Sequence, residues 1–287
     1  MVKTNVQRCE DYKKKLGLIG KEIFKFETDE VEDKVTIIKY IPNDEPYRVI
    51  EIPPFVTHVA SRSAIFRKVT QSLKVINKSK IEDASYLFYE FSGDSLDLSE
   101  FDVSNITNMK GMFGGCINLV DLNLNNFNTF KVIDMERMFV GCANIKVLDL
   151  SGFDTSNVKD MGGMFSGCSA LTKISLESFN TEKVESMSQM FYSCASLYKI
   201  NIDNFRADSL KKAKEMFGLC VNTLLIEMNN FNPSEDADLS DMFYFCTCMN
   251  VEMCNNTNRD LIMEYNRSKE RQKTLRGFNS NDKLKGR

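Results

Sequence analysis

The residues of this 287-residue chain best suited to chemistry are its nine cysteines. Six of them close a Met-Phe-x-x-Cys phrase: Met112/Phe113/Cys116, Met138/Phe139/Cys142, Met164/Phe165/Cys168, Met190/Phe191/Cys194, Met216/Phe217/Cys220 and Met242/Phe243/Cys246. A thiol can act as nucleophile, redox partner or zinc ligand. Zinc needs about four ligands converging on one point, whereas a constant step of 26 residues lays these six in a line. Neighbouring strands about 4.8 Å apart would bring adjacent thiols within disulfide range. A chain without a secretory signal favours reduced thiols, however, and a buried free cysteine behaves as a small hydrophobe. The ladder is therefore read as core. Cys246, Cys248 and Cys254 crowd near the last unit and supply the alternative, a metal or redox site, although no fourth ligand is evident. His58, the one histidine, has no Ser, Cys or Asp signature beside it, and Gly17-Leu18-Ile19-Gly20-Lys21 lacks the spacing and hydroxyl of a phosphate loop. No catalytic constellation, metal or cofactor is implied, and the expected class is a non-enzymatic binding module.

The elements that position these residues follow from the repeat. A second phenylalanine series, Phe101, Phe127, Phe153, Phe179, Phe205 and Phe231, keeps the 26-residue step. So do the apolar pairs Leu96/Leu98, Leu122/Leu124, Leu148/Leu150, Ile174/Leu176, Ile200/Ile202 and Ile226/Met228. A degenerate copy runs from Ile81 through Leu87-Phe88. A period in this range means a solenoid or an array. In Leu148-Asp149-Leu150 the apolar residues alternate with a polar one, as on a short strand with one buried face. Turn-forming residues follow from Ser151 to Asn157. Val158, Met161, Met164, Phe165 and Cys168 then recur at i, i+3, i+6, i+7 and i+10, the stripe of a short helix, with Gly167 placed to end it. One unit has a single apolar face, and stacking supplies the partner that buries it.

Three parts are expected along the chain. Residues 1–70 form a β-rich cap or shortened repeats, with Lys34–Tyr40 and Tyr47–Ile52 as a hairpin or as opening turns of the stack around the Pro42–Pro46 turn cluster. Residues 71–254 form the solenoid. Its last unit is atypical: Pro233 enters it and the pair Val251/Met253 is one residue out of register. Residues 255–287 form a helix, docked through Leu261, Ile262 and Tyr265, followed by a mobile basic tail. That segment carries nine Lys or Arg against four Asp or Glu, so within a total of −3 it is net +5 and the rest is −8. The tail is a candidate for nucleic acid or an anionic membrane. Nucleic acid is not the expected partner, because the chain is acidic overall and aromatic interleaving in the tail is sparse. No stretch approaches the ~20 apolar residues of a membrane span. The N-terminus has no apolar signal core, so the chain as written reads as cytoplasmic.

The run from Leu148 through Cys168, Leu-Asp-Leu-Ser-Gly-Phe-Asp-Thr-Ser-Asn-Val-Lys-Asp-Met-Gly-Gly-Met-Phe-Ser-Gly-Cys, closely resembles the 26-residue repeat of BspA-like leucine-rich-repeat surface proteins. The resemblance covers roughly residues 79–254, and Ile50-Glu51-Ile52-Pro53-Pro54-Phe55-Val56-Thr57 resembles the flanking repeats more loosely. It implies an α/β, leucine-rich-repeat-like solenoid of strand–turn–short-helix units between a β-rich N-terminal cap and a C-terminal helix. It also implies adhesion-type roles and, in that family, frequent surface exposure. The chain shows no lipid-attachment box or wall-sorting motif.

The repeated residues are interior ones, so binding must use positions that vary. Strand alternation turns Asp97, Asn123, Asp149, Ser175, Asn201 and Glu227 outward, flanked by Ser99, Asn125, Ser151, Glu177, Asp203 and Asn229. This row is the candidate ligand face, and the expected partner is a protein. The competing reading is a solvated sheet face with no ligand.

Overall fold

The computed structural model describes residues 3–17, 24–41, 47–60, 64–70, 72–124, 126–246, 250–252 and 259–282. It is a solenoid with a helix at each end of the chain. In order the elements are α1 (Asn5–Gly17), β1 (Phe24–Asp29), β2 (Lys34–Tyr40), β3 (Tyr47–Ile52), β4 (His58–Val59), β5 (Ser72–Asn77), β6 (Ser95–Asp97), β7 (Asp121–Asn123), β8 (Val147–Leu148), β9 (Lys173–Ile174), β10 (Lys199–Asn201), β11 (Leu225–Glu227), β12 (Asn250–Glu252) and α2 (Arg259–Asp282). From β5 onward each unit contributes one short strand, and the strands that pair do so in parallel. Leu96 faces Leu122, Leu148 faces Ile174 and Ile200 faces Ile226. The atypical last strand holds register by a one-residue slip, Ile226 opposite Val251. The shared core runs without interruption from Val6 and Cys9 of α1 to Leu261 of α2.

Across from the strands, the Met-Phe-x-x-Cys segment is not a short helix but a run of tight turns. Met112, Gly114 and Cys116 donate their N–H groups three residues back, to Met109, Gly111 and Phe113, at 2.9–3.3 Å. The alternate residues Met109, Gly111, Phe113 and Gly115 instead donate to the next unit, to the carbonyls of Asp134, Glu136, Met138 and Val140, at 2.7–2.9 Å. The same two-way pattern repeats upward through the stack. Left-handed φ angles recur at fixed places, at Gly111 and Gly115, Arg137 and Gly141, Gly163 and Gly167, Gln189 and Ser193. A helix cannot hold such residues, and the Gly-rich segments disfavour one by ~1 kcal/mol per glycine. The apolar stripe survives because a turn every four residues buries nearly the same positions as a helical turn.

Inside, Phe66, Phe88, Phe113, Phe139, Phe165, Phe191, Phe217 and Phe243 stack in one column with centroids 5.1–5.8 Å apart. Phe66 is its first ring, so the stack already begins within the segment expected as a cap or as shortened repeats. That end starts with a helix the sequence reading did not foresee. Its signal was a capping box: Thr4 Oγ1 accepts the Gln7 N–H at 3.2 Å and Gln7 Oε1 accepts the Thr4 N–H at 3.1 Å. The hairpin joins β1 to β2, not β2 to β3, while β3 pairs in parallel with β5 and so opens the stack. The proline-rich turn cluster from Pro42 lies outside the described residues. At the other end Leu261 is buried and Tyr265 packs on the core, but Ile262 is exposed. The segment expected as a mobile tail continues α2 as far as Asp282.

Candidate functional site

The outward row lies where alternation put it. Asn123, Asp149 and Asn201 are exposed, and Asp97, Ser175 and Glu227 are half-buried. Several members already have a structural task. The carboxylate of Asp97 accepts the Ser99 N–H at 2.9 Å, that of Asp149 the Ser151 N–H at 3.0 Å, and the amide oxygen of Asn201 the Asp203 N–H at 2.9 Å. These are Asx turns that end the strand. The bonds hold the Asp97 and Asp149 carboxyls below the ordinary carboxylate range, chiefly through the Ser99 backbone N–H for Asp97 and the Ser151 side chain for Asp149. Two members are engaged by lysines: Lys74 pairs with Glu100 at 2.7 Å and Asp97 at 3.7 Å, and Lys199 with Glu227 at 2.6 Å. Of the flanking row, Asn125 lies outside the described residues.

The strand face is not one sheet. It divides into β3-β5-β6-β7, β8-β9 and β10-β11-β12. Where β9 and β10 fail to pair, a groove of about 500 Å³ opens between two neighbouring units. Thr172, Lys173, Ile174, Leu176 and Glu177 form one wall, and Tyr198, Lys199, Asn201, Asp203 and Asn204 the other. The Asn204 amide bridges the gap by donating to the carbonyls of Leu176 at 3.0 Å and Phe179 at 2.9 Å. Tyr198 is 63% exposed at the mouth. Lys173 is exposed too, and no ion pair engages it among the described residues. Asn201 is the one member of the predicted row that lines the groove. Sequence reasoning missed Tyr198 and Lys173 because it counted outward positions only from the apolar pair forward. Both precede the apolar pair of their unit, Tyr198 in the column Asp94, Val120, Lys146, Thr172, Tyr198 and Leu224, whose types vary as those of the outward row do.

The cysteine ladder is interior. Each thiol, from Cys116 to Cys246, donates to the carbonyl of the phenylalanine in the unit before it, Phe88 to Phe217 in order. Burial pushes the Cys168 thiol up to about 12 and raises Cys194, while the thiol contact from Cys116 together with burial raises Cys142. Buried and donating to a carbonyl, Cys142, Cys168 and Cys194 are held toward the thiol form, away from the thiolate that nucleophilic or metal-binding chemistry needs. Of the alternative cluster, Cys246 belongs to this ladder, and Cys248 and Cys254 lie outside the described residues, as do the side chains of the basic tail from residue 272 onward. His58 is half-buried in β4, its Nδ1 2.9 Å from Thr57 Oγ1, and burial holds its pKa below the ordinary value. Among the described residues no group of three or more His, Cys, Asp or Glu is arranged to hold a metal, and no helix is long and apolar enough to cross a membrane.

Strands, turn ladder and groove together define a repeat solenoid of the leucine-rich-repeat-like class. The chain belongs to the family described as Mycoplasma protein of unknown function, DUF285, whose model matches residues 60–173 and 137–257. The likeness of the repeat to BspA-like leucine-rich-repeat proteins stands with that match. No curated protein matches the sequence. Among solved structures the chain is similar to a leucine-rich-repeat protein of T. pallidum, with 14% identity over 86% of this chain and 93% of that one and a TM-score of 0.32. It is also similar to a leucine-rich cell surface protein of Faecalibacterium prausnitzii, with 15% identity, 86% and 96% coverage and a TM-score of 0.32.

Proposed function

We propose that the chain is a non-enzymatic protein-binding module whose partner docks on the strand face across the groove between β9 and β10. The observation that carries this reading is the groove itself: about 500 Å³, walled by adjacent units, with an exposed tyrosine and an exposed lysine at its mouth. Tyrosine is enriched among residues that dominate interface energetics, because it brings a large rigid surface and a polar tip. Extended solenoid surfaces are suited to such contacts. An adhesion-type role is the form of binding that the resemblance implies. The outward row Asp97, Asn123, Asp149, Ser175, Asn201 and Glu227 contributes through Asn201 at the groove, while Asp97 and Asp149 serve mainly to end their strands.

The test is a quantitative capture experiment. The whole chain, wild type and with Tyr198→Ala plus Lys173→Glu, is immobilised, and captured proteins are compared by mass spectrometry. A partner should be lost by at least ten-fold in the variant and retained when Asp149, outside the groove, is changed to Lys. Undiminished capture by the groove variant overturns the proposal, and loss confined to Asp149→Lys moves the site to the outward row.

A further inference from the structure

Each internal interface from Phe88 to Phe243 has the same three parts. One phenylalanine ring lies on the next, as Phe217 on Phe243 at 5.7 Å. A thiol of the later unit donates to the phenylalanine carbonyl of the earlier, as Cys220 Sγ to Phe191 at 3.0 Å. Four backbone N–H groups of the earlier unit donate to carbonyls of the later: Ala213, Glu215, Phe217 and Leu219 to Asp238, Ser240, Met242 and Tyr244, at 2.7–3.1 Å. Beyond the last unit stands α2, and it reproduces the first two parts with different residues. The Tyr265 ring lies against Phe243 with centroids 5.8 Å apart, edge to face. Ser268, buried, donates its Oγ to the Phe243 carbonyl at 3.1 Å, where the stack places a cysteine. Arg271 Nη1 reaches the Asp241 carboxylate at 2.7 Å, in the column where Gln189 meets Glu215 within the stack.

The third part is not reproduced. The N–H groups of Leu239, Asp241, Phe243 and Phe245 stand where those of Ala213 to Leu219 stand one unit earlier, and none donates to a carbonyl among the described residues. A helix cannot take these donors, because its own carbonyls are committed along its axis. The end therefore keeps a row of four aligned donors behind a fully buried ring, an open edge of the kind that invites another chain. The opposite end is closed differently. Phe66 is covered by Tyr40 at 5.1 Å and Phe24 at 6.5 Å, both held in the paired strands β1 and β2.

We propose that α2 occupies the place of a further unit, and that the edge it covers, Leu239–Phe245, is a self-association surface for a second copy of this chain once α2 is displaced. The occupant follows from continuity, since the chain's own units are what this surface fits at every internal interface. Because the edge carries donors, two such edges cannot satisfy each other. The second copy must approach with the carbonyl side of a unit, which makes the contact head-to-tail. In an intact copy the first ring of the stack, Phe66, lies under Tyr40 and Phe24 of β2 and β1, so association is held down from both ends while the caps are closed.

The experiment uses the full chain. Tyr265→Ala with Ser268→Ala and Arg271→Ala loosens α2, and Tyr265→Phe with Ser268→Cys installs the side chains a further unit would carry. The probe is a labelled synthetic peptide of residues 156–168 with Cys168→Ser, which offers one unit's carbonyls without a cap. The alanine variant should bind the peptide at least ten-fold more tightly than wild type, while its own mass in solution stays that of a single copy because the N-terminal cover of Phe66 remains closed. The Phe/Cys variant should match wild type in both measurements. If the alanine variant fails to fold by circular dichroism, Arg271→Ala alone gives the same comparison, with a roughly two-fold gain in binding. Equal peptide binding by wild type and the loosened variant, or a Phe/Cys variant that behaves like the alanine one, overturns the proposal.

Discussion

The turn side and the strand side of the solenoid are made from the same units, yet they differ in continuity. On the turn side, bridges run without a break from Asp83 through Asn108, Asp134, Asp160, Ser186 and Lys212 to Asp238. The strand side breaks between β7 and β8 and again between β9 and β10. The reason lies in where each side keeps its bonds. Each turn segment sends four backbone N–H groups into the next unit and stacks a phenylalanine on its neighbour. A strand of two or three residues offers few ladder bonds, and part of the join passes to side chains such as Asn204. A spine secured on one side leaves the other free to lose pairing without unfolding, and the groove sits where pairing is lost.

The strongest test of that division is Phe165→Ala. The ring is fully buried between Phe139 and Phe191, so its loss should cost about 3–5 kcal/mol, measured by denaturant unfolding. The strand-side change Ile174→Ala should cost less, because it removes fewer atoms and Ile174 is only half-buried at the groove. Equal losses would show that the spine is no stronger than the strand face.

A smaller effect is expected at Gly111. Its φ of +58° is left-handed, and a Cβ built there would lie 2.6 Å from Tyr86 Cε1. The neighbouring Arg137 holds the same backbone conformation with a full side chain, so geometry alone does not demand glycine here. The tyrosine of the preceding unit does. Gly111→Ala should therefore cost more than the ~1–2 kcal/mol of the left-handed conformation, and adding Tyr86→Ala should recover the excess. Additive losses in the double mutant, read from thermal melts, would exclude the contact as the cause.

These two cases also mark how far the sequence could be read. Interior ladders were legible because Phe, Met, Cys and Leu each return at one step, and an invariant step means an invariant neighbour. The choice between helix and turns was not, since both bury nearly the same positions and the left-handed residues Arg137, Gln189, Glu215 and Leu219 are of types that do not announce it. The outward row was legible in position but not in role, because an Asx turn at Asp149 and a ligand contact call for the same polar residue. The groove was illegible, because it depends on two strands failing to pair, which no single residue type marks.

A titration separates the two sides more finely. Asp134 and Asp160 lie on adjacent units of the turn side, and burial raises both carboxyls above the ordinary range. A raised folded-state pKa means that the neutral form fits the fold better. The contribution is then present below the unfolded-state pKa and lost as the pH rises through the folded one. Asp160→Asn keeps an oxygen for the Gly162 N–H, as Asn108 does for Lys110 at 3.0 Å, and removes the buried charge. The variant should melt higher than wild type at pH 7, and the difference should shrink as the pH falls through the carboxylate range. On the strand side the signs reverse: Asp149, held low by Ser151, stabilises above its unfolded-state pKa and loses that contribution on acidification. A pH-independent difference for Asp160→Asn would exclude burial of charge as its origin.

The smallest expected effect on stability is the one most telling for function. Tyr198 is largely exposed, and Lys173 makes no ion pair among the described residues, so neither side chain holds the fold together. Tyr198→Ala and Lys173→Glu should each change unfolding free energy by no more than about 0.5 kcal/mol, the ordinary range for surface substitutions. The sheet break between β9 and β10 should persist, because the Asn204 bonds that bridge it are untouched. If the turn side alone secures the stack, residues at the groove are free of structural duty, and any loss of capture in these variants reports on binding. A stability loss above 1 kcal/mol in Tyr198→Ala, measured by urea unfolding, would instead place Tyr198 among the residues that hold the two units together.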